Sequence, residues 1–207
     1  MATAIKICGI TRHVDAMAAA HAGAHAVGFV FCAKSPRNVS IATAREIASA
    51  LPPFVMAVGL FVNPAVSEVE NVLTEVPLNL LQFHGEEAPG FCASFSVPFI
   101  KAARVRAGLD LIQYAHRYSA ARGLLLDAFV EGTHGGTGAA FDWSLIPSEL
   151  PLPVILSGGL NPANVSDAIR RVSPWAVDVS SGVEASPGIK DPQKIAAFIK
   201  EVRSADV

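Results

Sequence analysis

The feature that most constrains this chain is a regular alternation of two residue patterns. Short runs rich in branched and aromatic apolar residues stand at Lys6–Cys8, Ala26–Phe31, Val55–Phe61, Leu78–Phe83, Phe99–Ala103, Gly123–Asp127, Val154–Ser157 and Ala176–Val179. Between them lie segments with helical patterning. These are His13–Ala22, Ile41–Leu51, a helix begun near Asn63-Pro64, a weaker one at Glu86–Ser94, a poorly patterned one at Leu109–Arg117, Asn161–Val172, and a last helix at Asp191–Val202. Asn63 and Asn161 are expected to cap their helices, each with a proline behind it in the first turn. Strands that alternate with helices in this way predict a parallel sheet covered by helices.

Eight strands favour closure of that sheet into a (β/α)8 TIM barrel. An open doubly wound sheet is marked by a Gly-x-Gly-x-x-Gly turn after its first strand, and only Gly9 stands there. At 207 residues the barrel is near its lower size limit, so its loops and helices must be short; the poor patterning of Leu109–Arg117 leaves its fifth helix reduced. Residues 1–207 are thus expected to form a single α/β barrel domain.

Composition then removes several classes of function. A formal net charge of −2 without a block of like charge gives no electrostatic reason to expect nucleic acid or an acidic membrane as partner. No apolar run approaches the roughly 20 residues of a membrane span, and the amino terminus lacks a signal-peptide pattern, so a cytoplasmic protein is expected. Cys8, Cys32 and Cys92 are odd in number and widely spaced, which suits free thiols. His21 and His25 lack ligand spacing with the cysteines, and no metal is expected.

In such a barrel chemistry sits at the carboxyl ends of the strands. Strand side chains alternate between faces, so Lys6 and Cys8 look inward together while Ile5 and Ile7 look outward. Asp127 ends the apolar run Leu124-Leu125-Leu126, where burial would raise its pKa and let the carboxyl donate a proton. With two strands between theirs on the short way around the barrel, Cys8 and Asp127 are expected to face each other across the mouth. Gly158-Gly159-Leu160 and Ser180-Ser181-Gly182 follow the seventh and eighth strands, where glycines let backbone N–H groups approach phosphate oxygens. Arg37, in Ser35-Pro36-Arg37, is of the type that clamps a carboxylate or phosphate through paired hydrogen bonds. Lys6 is expected to favour the Cys8 thiolate, to pair inside the barrel with Asp178, or to do both, since the two roles are compatible. The glycine-rich loop Gly132–Gly138 is expected to act as a lid.

Taken together, Lys6-Ile7-Cys8-Gly9-Ile10-Thr11, Gly28-Phe29 with Ser35-Pro36-Arg37, Gln82-Phe83-His84-Gly85, Leu125-Leu126-Asp127, Gly135-Gly136-Thr137-Gly138 with Phe141-Asp142-Trp143, Gly158-Gly159-Leu160 with Asn164-Val165, and Asp178 to Glu184 with Pro187-Gly188 and Lys190-Asp191 closely resemble the phosphoribosylanthranilate isomerase family of tryptophan biosynthesis. The resemblance runs from end to end. It implies a cofactor-free isomerase that performs an Amadori rearrangement on a small phosphoribosyl substrate, with Cys8 as general base and Asp127 as general acid. It further implies anthranilate near Arg37, substrate contacts from Gln82, His84 and Asp178, and phosphate on Gly158, Gly159, Leu160, Ser180, Ser181 and Gly182. A monomer or weak homodimer is expected. The competing readings are a histidine-pathway aminoaldose isomerase, which typically uses two carboxylates, and a non-catalytic phosphosugar-binding barrel.

Overall fold

The computed structural model describes residues 2–128 and 142–206. Their strands are β1 (Ala4–Cys8), β2 (Ala26–Phe31), β3 (Met56–Phe61), β4 (Leu80–Phe83), β5 (Phe99–Val105), β6 (Leu124–Ala128), β7 (Val154–Leu156) and β8 (Ala176–Val179). They form a closed barrel in chain order, with β8 returning to β1 in the register Lys6↔Asp178. The helices are α1 (His13–Ala22), α2 (Ile41–Ser49), α3 (Val66–Glu75), α4 (Pro89–Cys92), α5 (Leu111–Arg117), α6 (Val165–Val172) and α7 (Pro192–Ala205). A small antiparallel pair, β9 (Glu184–Ser186) and β10 (Ile189–Lys190), follows β8.

The period of two along each strand sorts the barrel into layers. Outward residues such as Ile5, Ile7, Val27, Phe29, Val177 and Val179 are buried in the main core, which includes side chains of the covering helices. On the inner face, Ile100, Ala102, Leu125, Ile155 and Ala176 pack with Ala4 and Leu80 into an apolar plug. Two residues further along, the same strands carry Lys6, Gln82, Asp127 and Asp178, all buried. A dry floor therefore lies beneath a polar layer at the carboxyl ends of the strands, and the sequence alternation alone puts it there.

Several helix boundaries differ from expectation, each for a local reason. The helix expected from Asn63-Pro64 begins at Val66; Asn63 instead takes a left-handed conformation (φ 48°) and its side chain accepts from the Glu86 N–H. Glu68 accepts from the Ala65 N–H at the helix start. The helix expected at Asn161 begins at Val165, because Asn161 and Asn164 exchange hydrogen bonds across a turn that leads into it. The segment Glu86–Ser94 yields only the single turn α4. An aromatic cluster lies beneath it: Phe83 contacts Phe91, Phe95 and Phe99 with ring centroids 5.7–6.0 Å apart. Four close-packed rings supply apolar burial that a longer helix would otherwise provide. The fifth helix, α5, runs seven residues and is capped by Asp110.

Lys101 points outward from β5 yet is fully buried. Its ammonium donates to the carbonyls of Phe83, Gly85 and Ala102 and pairs with Glu87 at 3.3 Å. Glu87 in turn accepts from the Gly85 and Asn63 N–H groups. This clamp fixes the loop that follows β4, and with it the backbone of His84.

Candidate active site

A cavity of about 1020 Å³ opens at the carboxyl ends of the strands. That is the upper end of the range for small-molecule sites. Its lining includes Cys8, Arg37, Gln82, His84, Asp127 and Asp178, together with Gly158, Gly159, Leu160, Ser180 and Ser181. Gly182 is not in the lining; it packs against the Leu160 carbonyl so closely that any side chain would collide. Its role is to hold the β7 and β8 loops together. The expected lid, Gly132–Gly138, lies outside the described residues, as do Gly135-Gly136-Thr137-Gly138 and Phe141.

One wall is built from β1, β2 and β8 and is dense in charge. Lys6 and Asp178 form a buried ion pair at 2.8 Å. Cys8 stands in register with Gly28 of β2, and a Cβ there would lie 2.9 Å from the Cys8 sulfur and 3.2 Å from the Lys6 nitrogen. Glycine at 28 thus makes room for both side chains. Burial pushes the Cys8 thiol above its ordinary pKa; Lys6 pulls it down, but burial wins. Lys6 thus acts in the direction of thiolate, but taking a thiol out of water costs its charged form more than one neighbouring ammonium returns. Burial opposes the charge of Lys6 as well, but Asp178 and Cys8 outweigh it and hold the ammonium above its usual range.

Arg37 is already engaged. Its Nε and Nη2 donate in parallel to the two oxygens of Glu184, both at 2.8 Å. Lys190 donates to the same carboxylate at 2.8 Å and to the Ser180 carbonyl at 3.1 Å. Burial would raise the Glu184 pKa, but the hydrogen bonds from Arg37 and Lys190 together hold it below the usual carboxylate range. The Nε–Nη2 edge of the guanidinium is thus spent on Glu184. Neither Glu184 nor Lys190 was assigned a role from the sequence. The turn signal Pro187-Gly188 between two opposite charges marks the hairpin that brings them together.

The loop after β7 turns on two glycines. Gly158 and Gly159 are both left-handed (φ 81° and 65°). The side-chain N–H groups of Asn161 and Asn164 both donate to the Gly159 carbonyl, which turns that carbonyl toward the helix start. After β8 the chain makes a single 3-10 turn, Ser181–Val183.

The opposite wall, from β4 and β6, works by hydrogen bonds. Gln82 Nε2 lies 3.0 Å from His84 Nδ1, and His84 Nε2 lies 3.1 Å from Asp127 Oδ2. The other Asp127 oxygen accepts from the Ala128 N–H at 2.9 Å. The His84 backbone N–H donates to Phe61. A Cβ on Gly158 would lie 3.0 Å from Asp127 Oδ1, so the glycine loop packs directly on the carboxylate. Cys8 and Asp127 thus line one cavity from strands separated by β7 and β8.

Comparison with known proteins shows the family of the chain. Residues 5–201 match the family described as N-(5'phosphoribosyl)anthranilate (PRA) isomerase. The N-(5'-phosphoribosyl)anthranilate isomerase of Nitrosospira multiformis is 61% identical over 98% of this chain and 97% of its own length. That of Thiobacillus denitrificans is 59% identical over 99% and 100%. Among solved structures, the phosphoribosyl anthranilate isomerase of Thermotoga maritima superposes with a TM-score of 0.90 at 45% identity, covering 98% of this chain and 99% of that one. A phosphoribosyl anthranilate isomerase in complex with reduced 1-(o-carboxyphenylamino)-1-deoxyribulose 5-phosphate superposes at 0.87 with 44% identity, over 98% and 99%. The chain belongs to the N-(5'-phosphoribosyl)anthranilate isomerase family.

Proposed function

We propose that the chain, acting as one barrel domain, converts N-(5-phosphoribosyl)anthranilate to 1-(2-carboxyphenylamino)-1-deoxyribulose 5-phosphate. The observation that carries this reading is the placement of a thiol and a carboxyl in one cavity, with the paired β7 and β8 loops along its rim. Asp127 gives a proton to the furanose ring oxygen, and the ring opens to a Schiff base. The Cys8 thiolate then takes the proton from C2′ to give an enolamine, which tautomerises to the ketone. Electrons only move within the substrate, so the route asks for neither a redox cofactor nor a metal.

The remaining side chains hold the substrate in place. Phosphate rests on Gly158, Gly159, Leu160, Ser180 and Ser181, with Gly182 bracing the two loops. The anthranilate carboxylate lies near Arg37. Gln82, His84 and Asp178 bound the sugar. Burial holds the Cys8 thiol above its ordinary pKa, so the thiolate that acts must be stabilised within the site. The Lys6 ammonium is the nearby positive charge that stabilises the thiolate once it forms. A reducing cytoplasm suits a base that must remain a free thiol. A monomer or weak homodimer suffices, since the side chains assigned roles here all come from one chain; the dimeric Thermotoga maritima relative has itself been obtained as monomers.

Incubation with phosphoribosylanthranilate should abolish the anthranilate-type fluorescence. Absence of loss at micromolar enzyme would overturn the assignment, and binding without turnover would favour the phosphosugar-binding reading.

A further inference from the structure

Gln82 is wholly buried on the inner face of β4, and its carboxamide is half used. Its nitrogen faces His84 Nδ1 at 3.0 Å, while its oxygen Oε1 is buried with no hydrogen-bond partner among the described residues. A buried acceptor left unpaired is a standing cost that an apolar side chain of the same size would not carry. Turning the amide over would trade the stranded carbonyl for a second stranded N–H, since the nitrogen already carries one N–H beyond the one aimed at His84. The structure places the nitrogen, not the oxygen, on His84.

That orientation has a chemical consequence. With the carboxamide nitrogen as donor, Nδ1 accepts, and a His84 with one ring proton carries it on Nε2, the atom 3.1 Å from Asp127 Oδ2. We propose that Gln82 is a positioning residue for the acid, acting through His84: it fixes the Nε2–H tautomer, and that N–H together with the Ala128 N–H holds the Asp127 carboxylate produced when the acid has given up its proton. With one donor on each oxygen, the carboxyl keeps its orientation through both protonation states. The opposite tautomer would set a bare Nε2 lone pair against the newly formed carboxylate and work against release of the proton. On the neighbouring strand β5, Arg104, in register with Asp127, is paired with Glu86, and Lys101 with Glu87. The proposal rests on the reading of Asp127 as the general acid.

The test uses the full chain with 15N-labelled histidine. Ring-nitrogen spectra at neutral pH, with His84→Asn identifying the His84 signals, should show His84 protonated on Nε2 and bare at Nδ1. Gln82→Met, which keeps the volume and removes the donor, should mix the tautomers. It should lower kcat by about 10–100-fold, as loss of a residue that orients a working group does. Tm should stay within a few degrees, and the tautomer mixture rather than KM reads the positioning role, since Gln82 also bounds the sugar. A wild-type His84 protonated on Nδ1 would overturn the proposal. So would a Gln82→Met enzyme with undiminished kcat, or one whose loss follows a fall in Tm. If wild-type enzyme leaves phosphoribosylanthranilate unchanged, the functional reading fails on its own, while the spectra still decide the tautomer.

Discussion

The two walls of the cavity achieve control by different physical means. The β1–β8 wall holds Cys8 among Lys6, Asp178, Arg37, Glu184 and Lys190, and its ion pairs set the charge around the thiol. The β4–β6 wall holds Asp127 in a file of hydrogen bonds that runs from Gln82 through His84. A base that must be ionised to work needs nearby positive charge, because burial opposes its ionisation. An acid that must present one proton to one ring oxygen needs orientation. On the proposed assignment, one barrel mouth tunes its base by electrostatics and its acid by geometry.

The largest expected effect comes from removing the two reacting groups. Cys8→Ala and Asp127→Ala should each lower kcat by at least about 10², the usual contribution of a general acid or base. Steady-state fluorescence kinetics would check this, and a variant with near-normal turnover would take its residue out of the scheme.

Lys6→Met should strike only the charged wall. It leaves Asp178 buried without its partner, at a cost of about 3–5 kcal/mol in denaturant unfolding. It also removes the charge that pulls the thiol pKa down, so the alkaline rise of kcat/KM should move to higher pH. An unmoved profile in a folded variant would separate Lys6 from the base.

A smaller effect is expected from Glu184→Gln. The Glu184 pKa is depressed in the folded chain, so its contribution to stability is fully present above the ordinary glutamate pKa and is lost as pH falls through the folded value. The variant should be about 1–3 kcal/mol less stable at pH 7, the scale of a charged hydrogen bond. That difference should shrink as pH falls below the ordinary glutamate range and close below the depressed folded value in pH-dependent thermal melts. A difference that persists in acid would mean that packing, not charge, holds Arg37.

The two walls also differ in how far the sequence reveals them. Strand alternation places Lys6, Cys8, Gln82, Asp127 and Asp178 on the inner face, and barrel closure brings Lys6 beside Asp178, so the polar layer is legible before any coordinates. The clamp on Arg37 is not legible in the same way. Its partner, Glu184, lies 147 residues away, and no periodicity links a loop after β2 to a hairpin after β8. The balance at Cys8 is likewise hidden, since burial and a neighbouring ammonium act in opposite senses and only their distances decide the outcome. Among the helices, α4 defeats pattern reading because the rings of Phe83, Phe91, Phe95 and Phe99 replace helical cover, and α6 starts late because Asn161 and Asn164 close a turn first.

The central claim is that Cys8 removes a proton and does not bond to carbon. Intact-mass spectrometry of enzyme quenched during steady turnover of phosphoribosylanthranilate tests this most directly. The account predicts a chain of unchanged mass at every time point. A mass increase equal to the substrate or its open-chain form, mapped to Cys8 and absent in Cys8→Ala, would contradict it.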